Sequence, residues 1–121
     1  MAISRDTTFL TFTSTTLGAT GASTLVSAPG TNEVLEVFHI HAVNRTNTTG
    51  FIELSFRDGA AGNLMFPQYS QSIGLIFDMD LTIPWRLTSA QAMQCVLSVT
   101  AASTPSVLVT VGYVTTRIAN P

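Results

Sequence analysis

Two histidines and two aspartates each occur as a pair with one residue between the members, a spacing that could support chemistry on a β-strand. His39 and His41 form one pair, and Asp78 and Asp80 form the other. Because successive side chains on a strand point to opposite faces, the members of each pair share a face. Paired imidazoles suit a metal ion, and paired carboxylates suit Ca²⁺ or acid–base catalysis.

A metal site needs more ligands than either pair supplies. Structural zinc is usually held by four ligands and calcium by six or more oxygens. A third ligand for the histidines would have to come from Asp78, Asp80 or Glu53, and the sequence does not say which strands are neighbours. We therefore expect histidines at a surface or interface, solvated aspartates, and neither a metal ion nor a cofactor.

The sequence contains no other recognisable catalytic constellation. Ser and Thr are abundant, with 11 and 19 copies, but there is no Gly-x-Ser-x-Gly motif, and the lack of any Lys excludes a Gly-x-x-x-x-Gly-Lys phosphate loop. The single Cys95 cannot form an internal disulfide and lies on the apolar side of an alternating run, which predicts a small buried residue. We predict that the protein is not an enzyme.

Length and charge restrict the class of protein further. The chain has 121 residues, a natural size for one domain, and a net charge of −2 from five Arg and seven scattered acidic residues. Scattered charge does not favour nucleic-acid binding. No apolar run approaches the roughly 20 residues that span a bilayer, and residues 1–8 lack an apolar signal core. We expect a soluble protein, synthesised in a cytoplasm, that does not bind membranes.

Alternation of apolar and polar residues predicts strands, and no segment has a helical period. The predicted strands are 7–13, 23–27, 33–44, 51–57, 75–79, 81–87, 93–99 and 107–114. Seven or eight strands are therefore expected. The residues predicted to lie in the core are Trp85, Cys95, Leu97, Val109 and Val111.

Three segments carry additional local signals. The alternation is irregular in 33–44, which indicates a bulge or burial on both faces. Pro84 cannot donate a ladder hydrogen bond, so 81–87 belongs at a sheet edge or a bend. The Gly-, Ser- and Thr-rich stretch 14–22 is either a loop within the fold or a hinge that releases an N-terminal arm.

The strands predict one antiparallel β-sandwich of the jelly-roll type, since no helix is available to cross between parallel neighbours. Short polar loops predict two hairpins, one joining 33–44 to 51–57 and the other joining 93–99 to 107–114. Within this single domain we expect residues 1–22 to form a strand and flexible segment and residues 23–121 to form the sandwich core.

The order of predicted strands and loops from the long strand 33–44 onward resembles that of a known family. A long strand ends in 42–44, a polar loop leads to 51–58, and a Gly-rich turn follows; then come 81–87, 92–99 and the closing strand 107–113. This order resembles small β-sandwich virion proteins of tailed bacteriophages, which decorate heads or sit at necks and tails. The likeness covers about two thirds of the chain. The family's frequent Gly-Asp turn before the penultimate strand is replaced here by Ser-Ala-Gln.

The resemblance implies a capsid decoration, or cement, protein located in the virion after synthesis in the host cytoplasm. Such a protein would bind the major capsid protein on the outside of the shell and would form a homo-oligomer, with a trimer favoured. Sequence candidates for the contacts are Ile3, Arg5, Phe9 and Arg45.

Two other functions remain open at the level of sequence. The same fold could serve at the neck, tail or fibre attachment point of the virion. Alternatively, a module that binds host surfaces or glycans would need an exposed aromatic platform, for which the candidates are Phe66, Tyr69 and Trp85. For Trp85, packing among neighbouring apolar residues is the simpler interpretation.

Overall fold

All described elements of the protein are β-strands. The computed structural model describes residues 10–45, 52–59, 62, 65–70, 74–99 and 105–117. The strands are β1 (Thr11–Leu17), β2 (Gly21–Val26), β3 (Glu33–Asn44), β4 (Ile52–Asp58), β5 (Met65–Ser70), β6 (Gly74–Leu87), β7 (Met93–Val99) and β8 (Val107–Arg117). Among these residues there is no helix with the length and apolarity to cross a membrane. The all-β prediction is confirmed, and eight strands agree with the predicted seven or eight. The predicted strands 75–79 and 81–87 are wrong as separate elements, because both lie in the single strand β6.

The strands form two four-stranded sheets. Sheet A has the order β1-β8-β3-β6 and sheet B has the order β2-β7-β4-β5. All strand pairs are antiparallel. Consecutive strands lie in opposite sheets except β4 and β5, as expected for a double-sheet jelly roll. The predicted antiparallel sandwich is therefore confirmed.

Both predicted hairpins are wrong. Strand β3 lies in sheet A and β4 in sheet B; likewise β7 lies in sheet B and β8 in sheet A. A short polar loop can join neighbouring strands about 5 Å apart or cross between sheets about 10 Å apart, so loop composition does not distinguish the two connections. Residues 46–51 and 100–104 of these loops lie outside the described residues.

The N-terminal region differs from the expected loop over 14–22. Strand β1 extends to Leu17 and pairs with β8 along its whole length, and β2 begins at Gly21. The threonines of β1 are β-branched and suit a pleated surface, which accounts for a strand where composition predicted flexibility. Residues 1–9, with the candidate contacts Ile3, Arg5 and Phe9, lie outside the described residues.

The core lies between the two sheets. Cys95, Leu97, Val109 and Val111 are at most 2% exposed. Trp85 differs from its predicted place in the core, because it is half-buried and packs against the core from strand β6 at the edge of sheet A. The other fully buried large side chains are Phe56, Leu35, Ile40, Leu54, Leu87, Met93, Val37 and Val107.

Two edge strands contain a proline. Pro84 lies in β6, at the edge of sheet A, as predicted; the strand is irregular there, since Trp85 pairs with Val37 while Asp80 pairs with His39. Strand β5, which the sequence did not predict, forms the edge of sheet B and contains a proline next to Phe66. Phe66 has a φ of 52°, so this segment has neither regular backbone geometry nor regular alternation.

Candidate functional site

A bulge in strand β3 determines which side chains reach the outer face of sheet A. The register with both neighbouring strands shifts between Val37 and His39. Val37 points into the core before the shift and Ile40 points into the core after it, so Phe38 is the inserted residue. This bulge was one of the two explanations predicted for the irregular segment. Its consequence is that His39 and His41 lie on the outer face.

The pairing of β3 with β6 brings the two histidines to the two aspartates. His39 pairs with Asp80, and His41 pairs with Asp78. Directly opposed residues of an antiparallel pair have Cβ atoms about 5 Å apart, close enough for side chains to interact. The four residues form what we call the His–Asp cluster: His39, His41, Asp78 and Asp80.

Within the His–Asp cluster, each imidazole contacts a carboxylate and one carboxylate oxygen is shared. His39 Nε2 lies 3.0 Å and His41 Nδ1 lies 3.2 Å from the same Oδ1 atom of Asp78. On its other side, His39 Nδ1 lies 2.6 Å from Asp80 Oδ1. The side chain of His39 is 23% exposed and that of Asp80 is 91% exposed. The cluster is therefore open to solvent on its aspartate side.

Aromatic packing fixes the orientation of His39. The rings of His39 and His41 are stacked with centroids 6.3 Å apart and an interplanar angle of 12°. Phe12 approaches His39 edge-on, also with centroids 6.3 Å apart. The strand between them, β8, has Gly112 at this level, paired with both residues. A Cβ on Gly112 would lie 2.7 Å from Phe12 Cε1 and 3.2 Å from His39 Cβ, so only glycine leaves room for this contact.

One feature of the sequence could have indicated the contact between Phe12 and His39. Phe12 and Gly112 were not identified as parts of a site, although a glycine inside the β-branched, apolar strand β8 is typical of a close approach by a neighbour. The next level of the face is polar: Ser14 and Thr110 share a hydrogen bond of 2.9 Å between their hydroxyl oxygens. His41 pairs with Thr110, so the two levels are adjacent.

Glu53, the remaining ligand candidate, belongs to a different surface. It lies on β4 in sheet B, whereas His39 and His41 lie in sheet A. Cys95 is also separate from the cluster, because it is fully buried on the inner side of β7. Burial raises the pKa of the Cys95 thiol to about 12, so this residue does not supply a thiolate nucleophile near neutral pH.

Two of the three aromatic candidates for a glycan platform pack against each other. Trp85 and Phe66 are both half-buried and pack edge-to-face, with ring centroids 6.1 Å apart and an interplanar angle of 76°. Such an arrangement is typical of packing between two sheet edges, whereas glycan stacking needs an exposed ring face. The side chain of Tyr69 lies outside the described residues. Arg45, a candidate contact residue, is exposed at the end of β3, where its backbone N–H donates to the carbonyl oxygen of Ser106 at 2.7 Å.

Comparisons with known proteins do not assign the chain to a family. No protein-family model matches it, and no curated protein matches it significantly. One solved structure with a similar outline is a chain from Bacillus endospore appendages, described as a novel family of disulfide-linked pili. The two chains are 6% identical, 98% of this chain and 97% of that chain are covered, and the TM-score is 0.44. A similarity of this size carries no functional conclusion.

Proposed function

We propose that this chain is a non-enzymatic structural protein of a virion, most specifically a decoration protein that binds the outer surface of the capsid and stabilises the shell. The succession of strands and loops along its sequence resembles that of small phage virion proteins, and this resemblance supports the proposal. The observation that carries it is exposed apolar surface at both edges of sheet A.

The two edges of sheet A expose different apolar side chains. Next to and within β1, Leu10 is 50% exposed and Phe12 is 56% exposed. At the opposite edge, Ile83 on β6 is 83% exposed. Two strands lie between the edge strands, so the two edges are about 14 Å apart across the sheet. Large apolar side chains of this kind supply much of the binding free energy when a partner covers them.

Different apolar edges favour a ring of identical subunits. When one edge of a copy contacts the other edge of the next, the interface is heterologous, and it forms a ring when the rotation between neighbouring copies closes. We propose a homotrimer of this kind, which would match a local threefold position on a capsid. Each trimer would contact several copies of the major capsid protein, and many weak contacts acting together would oppose separation of the shell subunits. Arg45 and the N-terminal segment are proposed contacts with the capsid.

The copy number per purified virion tests the proposal, by quantitative mass spectrometry against the major capsid protein. Decoration of an icosahedral shell predicts copies on the order of hundreds, because every equivalent surface position is occupied. About a dozen copies would instead assign the protein to the neck, tail or fibre attachment point, where symmetry offers few positions. Absence from the particle would contradict a virion role.

Light scattering on the purified chain tests the trimer separately. We expect a trimer that dissociates when Phe12→Ser or Ile83→Ser removes apolar area from one side of the interface. Thr24→Ser on the exposed surface of sheet B is the matched control and should leave the trimer intact. A monomeric wild-type chain would contradict the ring.

A further inference from the structure

We propose that His39, His41 and Asp78 form a binding site for a divalent transition-metal ion of the zinc type, with Asp80 as the residue that orients His39. This inference is independent of the virion role. One ligand atom from each of the first three residues lies within 4.8 Å of the other two. No single segment of the sequence contains this set, because β3 supplies the histidines and β6 supplies the aspartates.

The distances from the Asp78 carboxylate to the two imidazoles suit a tetrahedral ion. Metal–ligand bonds of 2.0–2.2 Å at tetrahedral angles place ligand atoms about 3.3 Å apart. The distances from Asp78 Oδ1 to His39 Nε2 and to His41 Nδ1 are 3.0 Å and 3.2 Å, close to that value. Small side-chain rotations that move Asp78 outward would admit an ion in place of the protons in these contacts.

Asp80 is placed to select the correct nitrogen of His39. Metal-binding histidines usually donate their second ring N–H to a carboxylate or carbonyl, which fixes the tautomer and the ring orientation. Here His39 Nδ1 lies 2.6 Å from Asp80 Oδ1, on the side of the ring opposite Asp78. A proton held at Nδ1 leaves the lone pair on Nε2, the nitrogen that faces His41 and Asp78.

The surroundings hold the ligands in place and leave one position open. The ligands stand on two hydrogen-bonded strands, which position side chains better than loops do. Phe12 packs against His39 from the opposite side, across Gly112. The side chain of Asp78 is 52% exposed, so a fourth coordination position faces solvent and can accept water.

The ligand chemistry selects a class of ion. Imidazole nitrogens favour Zn²⁺, Cu²⁺ and Ni²⁺, whereas Ca²⁺ and Mg²⁺ need more oxygen ligands than two carboxylates supply. Zn²⁺ is the appropriate probe because it accepts three protein ligands and one water.

The test is calorimetric titration of Zn²⁺ into the full chain, purified without a polyhistidine tag and freed of metal with a chelator. We expect one ion per chain. Replacing a ligand by Asp78→Asn or His41→Gln should weaken Zn²⁺ binding at least about 100-fold. Asp80→Ala should weaken it about 10- to 100-fold, because it removes only the orienting contact. Glu53→Gln on sheet B is the matched control and should bind Zn²⁺ like the wild type.

Two results would overturn the proposal: no stoichiometric Zn²⁺ binding by the wild type, or unchanged affinity in Asp78→Asn and His41→Gln. A measurement on the wild type alone guards against variants that fail to fold. Nitrogen NMR of the two imidazoles should show His39 bound to the ion through Nε2 and protonated at Nδ1. Binding through His39 Nδ1 would contradict the orienting role of Asp80. Ca²⁺ and Mg²⁺ at the same concentration should leave both rings unchanged.

Discussion

The outer faces of the two sheets are built by the same cross-strand pairing and carry different chemistry. On sheet B, Arg57 Nε donates to Gln94 Oε1 at 3.0 Å, and Gln94 Nε2 donates to Thr24 Oγ1 at 3.4 Å. This polar ladder runs across β4, β7 and β2. On sheet A, the corresponding positions gather the His–Asp cluster and an exposed Phe12.

The difference between the outer faces of sheets A and B indicates which of them is suited to binding. The guanidinium, amide and hydroxyl groups of the sheet B ladder join three strands through directional hydrogen bonds, which stabilises the sheet. Sheet A instead concentrates both histidines and two of the seven acidic residues at one place. The imidazoles and carboxylates of sheet A lie on its outer face, whereas the Cys95 thiol of sheet B points inward and is fully buried.

The largest loss of stability is expected from a substitution in the core between the two sheets, because this core holds both sheets in place. Phe56 is fully buried on the inner side of β4, and Phe56→Ala should lower the free energy of unfolding by about 3–5 kcal/mol through lost apolar contacts and a cavity. Urea unfolding measures the change. The matched control is Phe12→Ala, which removes the same ring from an exposed position and should cost much less. Equal losses for the two variants would show that the core does not lie between the sheets as described.

The second prediction concerns the buried thiol of sheet B. Burial raises the pKa of Cys95 from its ordinary 9.0 to about 12, because the interior disfavours the thiolate. Above pH 9 the unfolded chain loses this proton while the folded chain retains it. The free energy of unfolding should therefore fall as pH rises, by up to about 1.4 kcal/mol per pH unit, until the pH approaches the folded pKa.

The pH effect is isolated by comparing urea unfolding of the wild type and Cys95→Ala on both sides of pH 9. The contribution of Cys95 is the part of the alkaline decline that the variant lacks. Parallel curves for the two proteins would mean that the thiol ionises equally well in the folded state, contrary to its burial.

A smaller effect should follow from filling the space beneath the aromatic contact of sheet A. Gly112→Ala places a methyl group against Phe12 and His39. We expect a loss of about 1 kcal/mol, at the low end of overpacking costs, because the exposed Phe12 ring can rotate away. Thermal unfolding measures the loss, and NMR should show the Phe12 and His39 rings displaced. Unchanged ring contacts would contradict the described packing of Phe12 on His39.

The smallest effect is expected on the sheet B ladder. Gln94→Ala should lower the free energy of unfolding by about 0.5–1 kcal/mol, since it removes one part-buried and one exposed side-chain hydrogen bond. A double-mutant cycle with Arg57→Ala, followed by urea unfolding, separates the Arg57–Gln94 contact from other effects of truncation. Full additivity of the two substitutions would show that this contact does not stabilise the sheet.

The local features of the fold could be predicted from the sequence because strand alternation is local. It correctly indicated an all-β chain and placed Cys95, Leu97 and Val109 on inner faces. Strand β5 was missed because its proline and the positive φ of Phe66 remove the regular pattern. The hairpins were wrong because loop composition does not specify which sheet the next strand joins.

The candidate site was predictable only in part. The alternation of side chains along each strand predicted that His39 and His41 share a face and that Asp78 and Asp80 share a face. Their meeting depends on the register between β3 and β6, which form one pair across the 41 residues that separate His39 from Asp80. Register over that distance is determined by packing of the whole sheet, so no local pattern could reveal it.

The bulge in β3 has a consequence for how this strand can change during evolution. Phe38 is the extra residue on β3 opposite consecutive residues of β8, so pairing it within a regular ladder would turn His39 and His41 toward the core and Ile40 and Ala42 toward solvent. Its deletion would make the ladder regular and leave those faces unchanged. Replacing Phe38 changes one side chain and keeps the extra position, and removing it keeps every later side chain on its present face. We therefore expect this strand to accept changes at Phe38 more readily than a one-residue insertion or deletion among the regularly paired residues that follow it.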